Sequence, residues 1–400
     1  MSFESQRSLS IRPSPSMQIA MAARRLQAEG RDVIDLSLGE PDFEPPDHVA
    51  TAAIAAIRIG GIRYGAAAGT EALRSAIAEK CRRDNRLTYA PDQIVVANGA
   101  KQLLFDAFLA TLEPGDEVLI PSPCWVSYGD IVGLHGGKPL YLPCTAAEGF
   151  KLSAERLAAA ITPQTRWLLL NSPSNPTGAI YSVAELQALA AVLARHPRVL
   201  ILSDEIYEHV ILGQVPFTSF GTACPGLLDR TLIVNGVSKA YAMTGWRLGY
   251  AAGPKPLVAA LNKMQSQSVT SVCAVVQAAA LAALTGDQAF VAAGAARFAA
   301  RAQLVADRLK RLPHIHFLPP DGAFYAFIDV SGLIGCRTAD GTVLTDDTMI
   351  ASHLLHGFGL SGVPGSAFAA PGHLRLSIAA SEAELSAACD RLQAMIASLS

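Results

Sequence analysis

Short, almost purely apolar runs recur along the first two thirds of the chain, at residues 93–97, 117–120, 166–170, 199–202 and 231–234. Each is stopped by a Gly, a Pro or a polar residue. A run of this length with no polar alternation is the pattern of a strand covered on both faces. Between the runs lie Ala- and Leu-rich stretches with helical spacing, 182–195 being the clearest. Strand and helix in alternation predict an α/β fold on a mostly parallel, helix-covered sheet. Such sheets bind ligands outside the carboxyl ends of their strands, so the polar residues that follow each run are where chemistry is expected. From about residue 288 the pattern changes. A long Ala/Arg-rich helix, short strands over 323–329 and 373–378, and a closing helix from about Glu382 predict a smaller α+β domain. The leading arm, with Pro13, Pro15, Pro41, Pro45 and Pro46, reads as irregular chain that packs on that smaller domain. The expected division is an arm (1–45), a large domain (46–287) and a small one (288–400).

Composition narrows the function classes. Half of the 400 residues are apolar and 16% are charged, ample for a large core. The net charge is -2 with acids and bases interspersed, and no basic stripe offers itself to a phosphate backbone, so no nucleic-acid partner is expected. The seven cysteines are scattered, with no Cys-x-x-Cys pair, which argues against a disulfide framework or a metal site and for a reducing, cytoplasmic setting. The start, MSFESQRSLSIRPSPSM, has no apolar signal core. The apolar stretch 273–284 is too short to span a bilayer, and no membrane partner is expected.

Three polar segments follow three of the runs. Asn171-Ser-Pro-Ser-Asn175-Pro-Thr-Gly follows 166–170, Asp204-Glu-Ile-Tyr207 follows 199–202, and Asn235-Gly-Val-Ser-Lys239 follows 231–234. In a parallel sheet these loops meet at one edge. A buried lysine loses its charge by desolvation, and its neutral amine attacks carbonyls. An aldehyde cofactor with a pyridine ring would use the rest of the set. Asp204 would keep the ring nitrogen protonated, Tyr207 and Asn175 would bond the ring oxygen, and Arg247 would grip a phosphate bidentately. Each residue taken alone has a plainer reading: a solvated lysine, a helix cap at Asp204, a turn at Asn175, an ion pair at Arg247, a core residue at Trp125. Their order on successive strand ends is what points to one site.

The chain resembles the class I pyridoxal-phosphate aminotransferases of fold type I, and among them the bacterial aspartate aminotransferase subgroup that also holds prephenate aminotransferases. The marks are Leu-Gly-Glu-Pro-Asp-Phe (38–43), Asn-Gly-Ala-Lys-Gln (98–102), Pro-Cys-Trp-Val-Ser-Tyr (123–128), the 171–178 segment, Ser-Asp-Glu-Ile-Tyr-Glu-His (203–209), the segment from Ser238 through Gly249, and Leu-Arg-Leu-Ser (374–377). The resemblance runs from about Pro13 to the last helix. It implies a mostly parallel seven-stranded sheet covered by helices, with a smaller α+β domain. It also implies pyridoxal 5'-phosphate held by Lys239 as a Schiff base, with Lys239 shuttling the proton, Asp204 at the ring nitrogen, Tyr207 and Asn175 at the ring oxygen, and Trp125 stacked on the ring. The backbone at Gly99, Ala100 and Lys101 would cradle the phosphate with Ser238 and Arg247. Tyr64 would reach the phosphate of a neighbouring subunit, which implies a homodimer with shared active sites. Arg375 would clamp the substrate α-carboxylate, helped by Asn175 and the Gly39 backbone.

The activity so implied is ping-pong transfer of an amino group between an L-amino acid and a 2-oxo acid. In this subgroup a distal carboxylate is met by Lys101 and a hydroxyl of the arm, here Ser16, which favours aspartate, with 2-oxoglutarate or oxaloacetate as acceptor. Cys124, the segment 359–366 and Gln18 depart from the usual pattern and leave prephenate or an aromatic oxo acid open. A lyase or decarboxylase on the same cofactor is a further alternative. An aminotransferase-like transcription regulator is not expected, because only about a dozen residues precede the resemblance.

Overall fold

The computed structural model describes residues 3–11 and 13–400, leaving Met1, Ser2 and Arg12 outside. Its strands are β1 (Ile34–Asp35), β2 (Ile94–Ala97), β3 (Glu117–Ser122), β4 (Lys138–Pro143), β5 (Thr165–Asn171), β6 (Leu200–Asp204), β7 (Thr231–Gly236), β8 (Gly249–Ala252), β9 (His316–Phe317), β10 (Tyr325–Asp329), β11 (Leu360–Ser361), β12 (Val363–Pro364) and β13 (His373–Ser377). Seven form the main sheet, in the order β2-β8-β7-β6-β5-β3-β4. The pairs from β7 through β4 are parallel, and β8 runs antiparallel to both of its neighbours.

The five apolar runs of the sequence correspond to β2, β3, β5, β6 and β7. Gln93 instead closes a short 3-10 turn, Pro91–Gln93. Four strands reach further than their apolar runs: β3 goes on to Ser122, β5 takes in Asn171, β6 takes in Asp204, and β7 ends on Gly236. The chemistry-bearing residues therefore sit on the last rungs of the ladder as well as in the loops. Two strands have no apolar signature. The edge strand β4, Lys-Pro-Leu-Tyr-Leu-Pro, has half of its residues exposed and carries prolines near both ends, as edge strands tolerate. The strand β8, Gly-Tyr-Ala-Ala, carries no β-branched residue and is fully buried between its neighbours.

Helix starts follow local rules. Ser182 caps the helix Val183–Leu193 and forms a reciprocal box with Glu185, and Ser381 with Glu384 does the same for Glu382–Ala397. Each such cap is worth about 1 kcal/mol. In the arm the outcome differs from the expectation of irregular chain: Pro15–Ala28 is a 14-residue helix. Pro15 occupies its first turn, where a missing N–H costs nothing and the fixed φ favours the helix. Its Ala23 and Leu26 pack with Val33 and Leu355.

Beyond the main sheet, β12-β13-β10-β9 make a four-stranded antiparallel sheet. It shares a core of Phe298, Phe324, Ile328, Leu374 and Leu392 with the helices Ala289–Leu309 and Glu382–Ala397. A parallel pairing of β1 with β11 ties the arm to this second layer. Among the described residues no single helix is long and apolar enough to cross a membrane.

Candidate active site

The carboxyl ends of the adjacent strands β5, β6 and β7 face the small sheet across a cavity of ≈ 350 Å³. Lys239, Asp204, Tyr207, Asn175, Trp125, Ser238, Arg247, Ala100, Lys101, Gly39, Ser16 and Arg375, all candidates from the sequence, line it. Its charged lining is four bases (Lys101, Lys239, Arg247, Arg375) against two acids (Glu40, Asp204). That balance favours an anionic ligand.

Asn171 at the end of β5 ties its own loop to the end of β6. Its amide donates to the Asp204 carbonyl at 3.0 Å, and its side-chain oxygen accepts from the Asn175 N–H at 2.8 Å. The Asp204 carboxylate is buried and accepts from the Tyr128 hydroxyl at 2.7 Å. Burial pushes its pKa up to about 6, opposed by the Tyr128 hydrogen bond. Such a carboxylate is relieved by a cation set against it. Lys239, three residues beyond the end of β7, donates to the Gly39 carbonyl at 2.7 Å. Burial pushes its pKa down to about 8, so an appreciable fraction is neutral amine near neutral pH.

The helix Ala100–Thr111 follows β2 and turns its N-terminus to the same edge. Its first N–H groups have no intrahelical acceptor, which makes the end an anion site. Gly99 caps it at φ 88°, and a Cβ there would lie 2.4 Å from the Arg247 guanidinium. Only a glycine both takes that backbone and lets the arginine reach the helix end. Arg247 is held by a hydrogen bond from its guanidinium to the Thr244 carbonyl at 2.8 Å.

Arg375 enters from β13 and is 3% exposed. Its guanidinium donates to the Asn175 side-chain oxygen at 3.0 Å and to the Ser37 carbonyl at 2.5 Å. Its Nε has no partner among the described residues. It lies 4.4 Å from the Tyr325 ring centroid and 4.8 Å from that of Phe368. Lys101 sits with Nζ 4.7 Å over the Trp125 ring.

Two candidates lie apart. Gly99 acts behind the lining, as above. Tyr64 is 93% exposed and outside the cavity of its own chain. The three departures from the family pattern do not line the cavity. Cys124 is buried, its thiol pushed up to about 12 by burial, so it is no nucleophile. Ser361 turns away to donate to Asp35 at 2.6 Å, and Gln18 is exposed. Tyr128 and Tyr325 were not among the candidates. Tyr128 lies in the first turn of the helix Ser127–Leu134, and nothing along the chain marks its reach to Asp204. Nothing local marks Tyr325, which comes from β10.

A family model described as "Aminotransferase class I and II" matches residues 31–392. The chain is similar to an aspartate/prephenate aminotransferase of Cereibacter sphaeroides, 48% identical over 400 residues, 100% of each chain. The crystal structure of the aspartate aminotransferase from Rhizobium meliloti superposes with a TM-score of 0.97 at 46% identity, covering 100% of both chains. The aspartate aminotransferase from Thermus thermophilus with maleate gives 0.92 at 40% identity over 99% of this chain and 100% of that one.

Proposed function

Since the chain belongs to the class I and II aminotransferases, transaminases that work with pyridoxal 5'-phosphate, we propose that it moves an amino group between L-aspartate and 2-oxoglutarate or oxaloacetate. The observation that carries the residue roles is the Lys239 amine, partly neutral, in a cavity with two separate arginines for two separate anions. The residues fit the cofactor. The helix end at Ala100 and Lys101, the side-chain-free Gly99, Ser238 and Arg247 make a phosphate cradle. The buried Asp204 carboxylate suits a pyridinium nitrogen, and Trp125 supplies a flat wall.

When bound, pyridoxal 5'-phosphate supplies a carbonyl that condenses with amines and a ring that takes up the electron pair released at the substrate α-carbon. Lys239 would hold the cofactor through its nitrogen, and its amine, once freed, would take and hold the α-proton of the substrate. Asp204 keeps a proton on the ring nitrogen, and Tyr128 in turn orients Asp204. Tyr207 and Asn175 bond the ring oxygen. Arg375 pairs with the α-carboxylate, which gives its buried Nε an acceptor. Holding phosphate, ring and carboxylate at fixed points lines up the α-proton with Lys239.

Lys101 and Ser16, from the helix Ala100–Thr111 and the arm helix, meet the distal carboxylate, and the relative solved with maleate holds a dicarboxylate. Prephenate stays as an alternative acceptor because a full-length relative carries both activities in its name. We divide the chain into an arm (1–45), a large domain (46–287) and a small domain (288–400) that close on the substrate. We assign it to the cytoplasm as a homodimer in which Tyr64 completes the partner's phosphate site. Ile54, Ile57, Ile59 and Ile62, exposed beside Tyr64, support that pairing.

The test is a panel of amino donors against 2-oxoglutarate and oxaloacetate, with prephenate among the acceptors. Aspartate should lead the panel. Lys239→Ala should lose on the order of 10³-fold or more in turnover, the scale of a lost acid–base group. Full activity in that variant would end the assignment of Lys239.

A further inference from the structure

Tyr325, on β10, is almost fully buried and touches three parts of the site. Its hydroxyl is 2.8 Å from that of Tyr207. Its ring lies under the Arg375 guanidinium at 4.4 Å. Its hydroxyl also fills the space a side chain at position 39 would need, since a Cβ on Gly39 would come within 1.9 Å of it. The carbonyl of that same Gly39 receives the Lys239 N–H at 2.7 Å. One phenol thus packs against the residues that hold the lysine, the carboxylate clamp and the second phenol.

A phenol has one proton to give. If Tyr207 spent its proton on Tyr325, it would have none for the ring oxygen of the cofactor. A cation over an aromatic face draws electron density from the ring and makes its hydroxyl the stronger acid. Arg375 stands over Tyr325 at 4.4 Å, whereas Lys239 stands over Tyr207 at 5.7 Å and is pushed towards its neutral form by burial, so Tyr325 is the better donor of the two. We propose that Tyr325 is a positioning residue for Tyr207: it donates to the Tyr207 oxygen, orients that phenol and leaves its proton for the cofactor's ring oxygen. The proposal rests on the roles of Lys239 and Tyr207 given above.

The consequence has a definite sign. Donation from Tyr207 draws charge off the ring oxygen and so weakens that oxygen's hold on the proton at the Lys239 nitrogen. Tyr325 polarises the Tyr207 O–H and strengthens this effect. Without the Tyr325 hydroxyl, the Lys239 nitrogen keeps its proton to higher pH.

The experiment is a pH titration of the visible absorption band of the holoenzyme. Tyr325→Phe keeps the ring under Arg375 and removes one oxygen. Its midpoint should rise by about one pH unit, the size of one hydrogen bond. In a Tyr207→Phe background the same change should move the midpoint by less than about 0.3 unit, because the group through which Tyr325 acts is gone. The Michaelis constant for amino acids should stay within about twofold, since the cation–π contact to Arg375 is retained. An unmoved midpoint in the single variant, or equal shifts in both backgrounds, overturns the proposal. A wild-type protein with no titrating band would instead remove the reading of Lys239, and the proposal with it.

Discussion

At the scale of single residues, the site works by moving ionisable groups away from their solution behaviour. Burial lowers Lys239 to about 8 and raises Asp204 to about 6. The two shifts run in opposite directions because desolvation always disfavours the charged form. Only the neutral amine captures a carbonyl, so cofactor uptake by the apo-protein has a predictable pH dependence. Its rate should climb about tenfold per pH unit below about 8 and level off above it, as the amine fraction saturates. Stopped-flow absorbance on the apo-protein mixed with pyridoxal phosphate would read this directly. A rate flat from about pH 6 to about pH 9 would mean that Lys239 is not desolvated as described. Lys239, Asp204 and Asn175 were legible in the sequence because each follows an apolar run that only a buried strand explains. Tyr325 was not, because its meaning lies in a hydroxyl contact with a residue 118 positions away.

At the scale of elements, two helices bring Lys101 and Ser16, the groups proposed to read the substrate, to the cavity. The helix Ala100–Thr111 is pinned by Leu103, Leu104, Ala107 and Phe108, which bury one face and aim its N-terminus and Lys101 at the strand ends. The arm helix Pro15–Ala28 brings Ser16 across from the other side. The prolines of this arm predict irregular chain, since prolines usually punctuate; Pro15 instead starts the helix. If Lys101 binds a distal carboxylate, Lys101→Ala should cost aspartate about 10- to 100-fold in kcat/KM, the range for a charged hydrogen bond, and alanine little. Equal losses for the two donors would assign Lys101 to the cofactor or to the fold instead. The edge strand β4 and the short β8 went unread for a different reason. They carry no run of β-branched residues, and β8 is a strand because its backbone pairs antiparallel with both β2 and β7, a tertiary arrangement that its own sequence does not announce.

At the scale of the whole molecule, the chain presents an unbroken exposed stretch, residues 57–66, with Ile57, Ile59, Ile62 and Tyr64 on it. A chain that leaves these side chains in water is expected to cover them with a second copy. Sedimentation should therefore give twice the mass of one chain. The double variant Ile59→Asp, Ile62→Asp should dissociate and lose cofactor affinity together, because Tyr64 then reaches no phosphate. A dissociated variant with unchanged cofactor binding would place Tyr64 outside the site. The strand succession and the polar residues at its ends could be read from the chain alone, because burial on both faces forces apolar runs and the polarity that ends them is local. The reach of Tyr128 to Asp204 over 76 positions, the pairing of Tyr325 with Tyr207 and the close fit of Gly99 against Arg247 could not. Those contacts join separate elements, and their distances are set by how the sheets and helices pack rather than by any pattern along the chain.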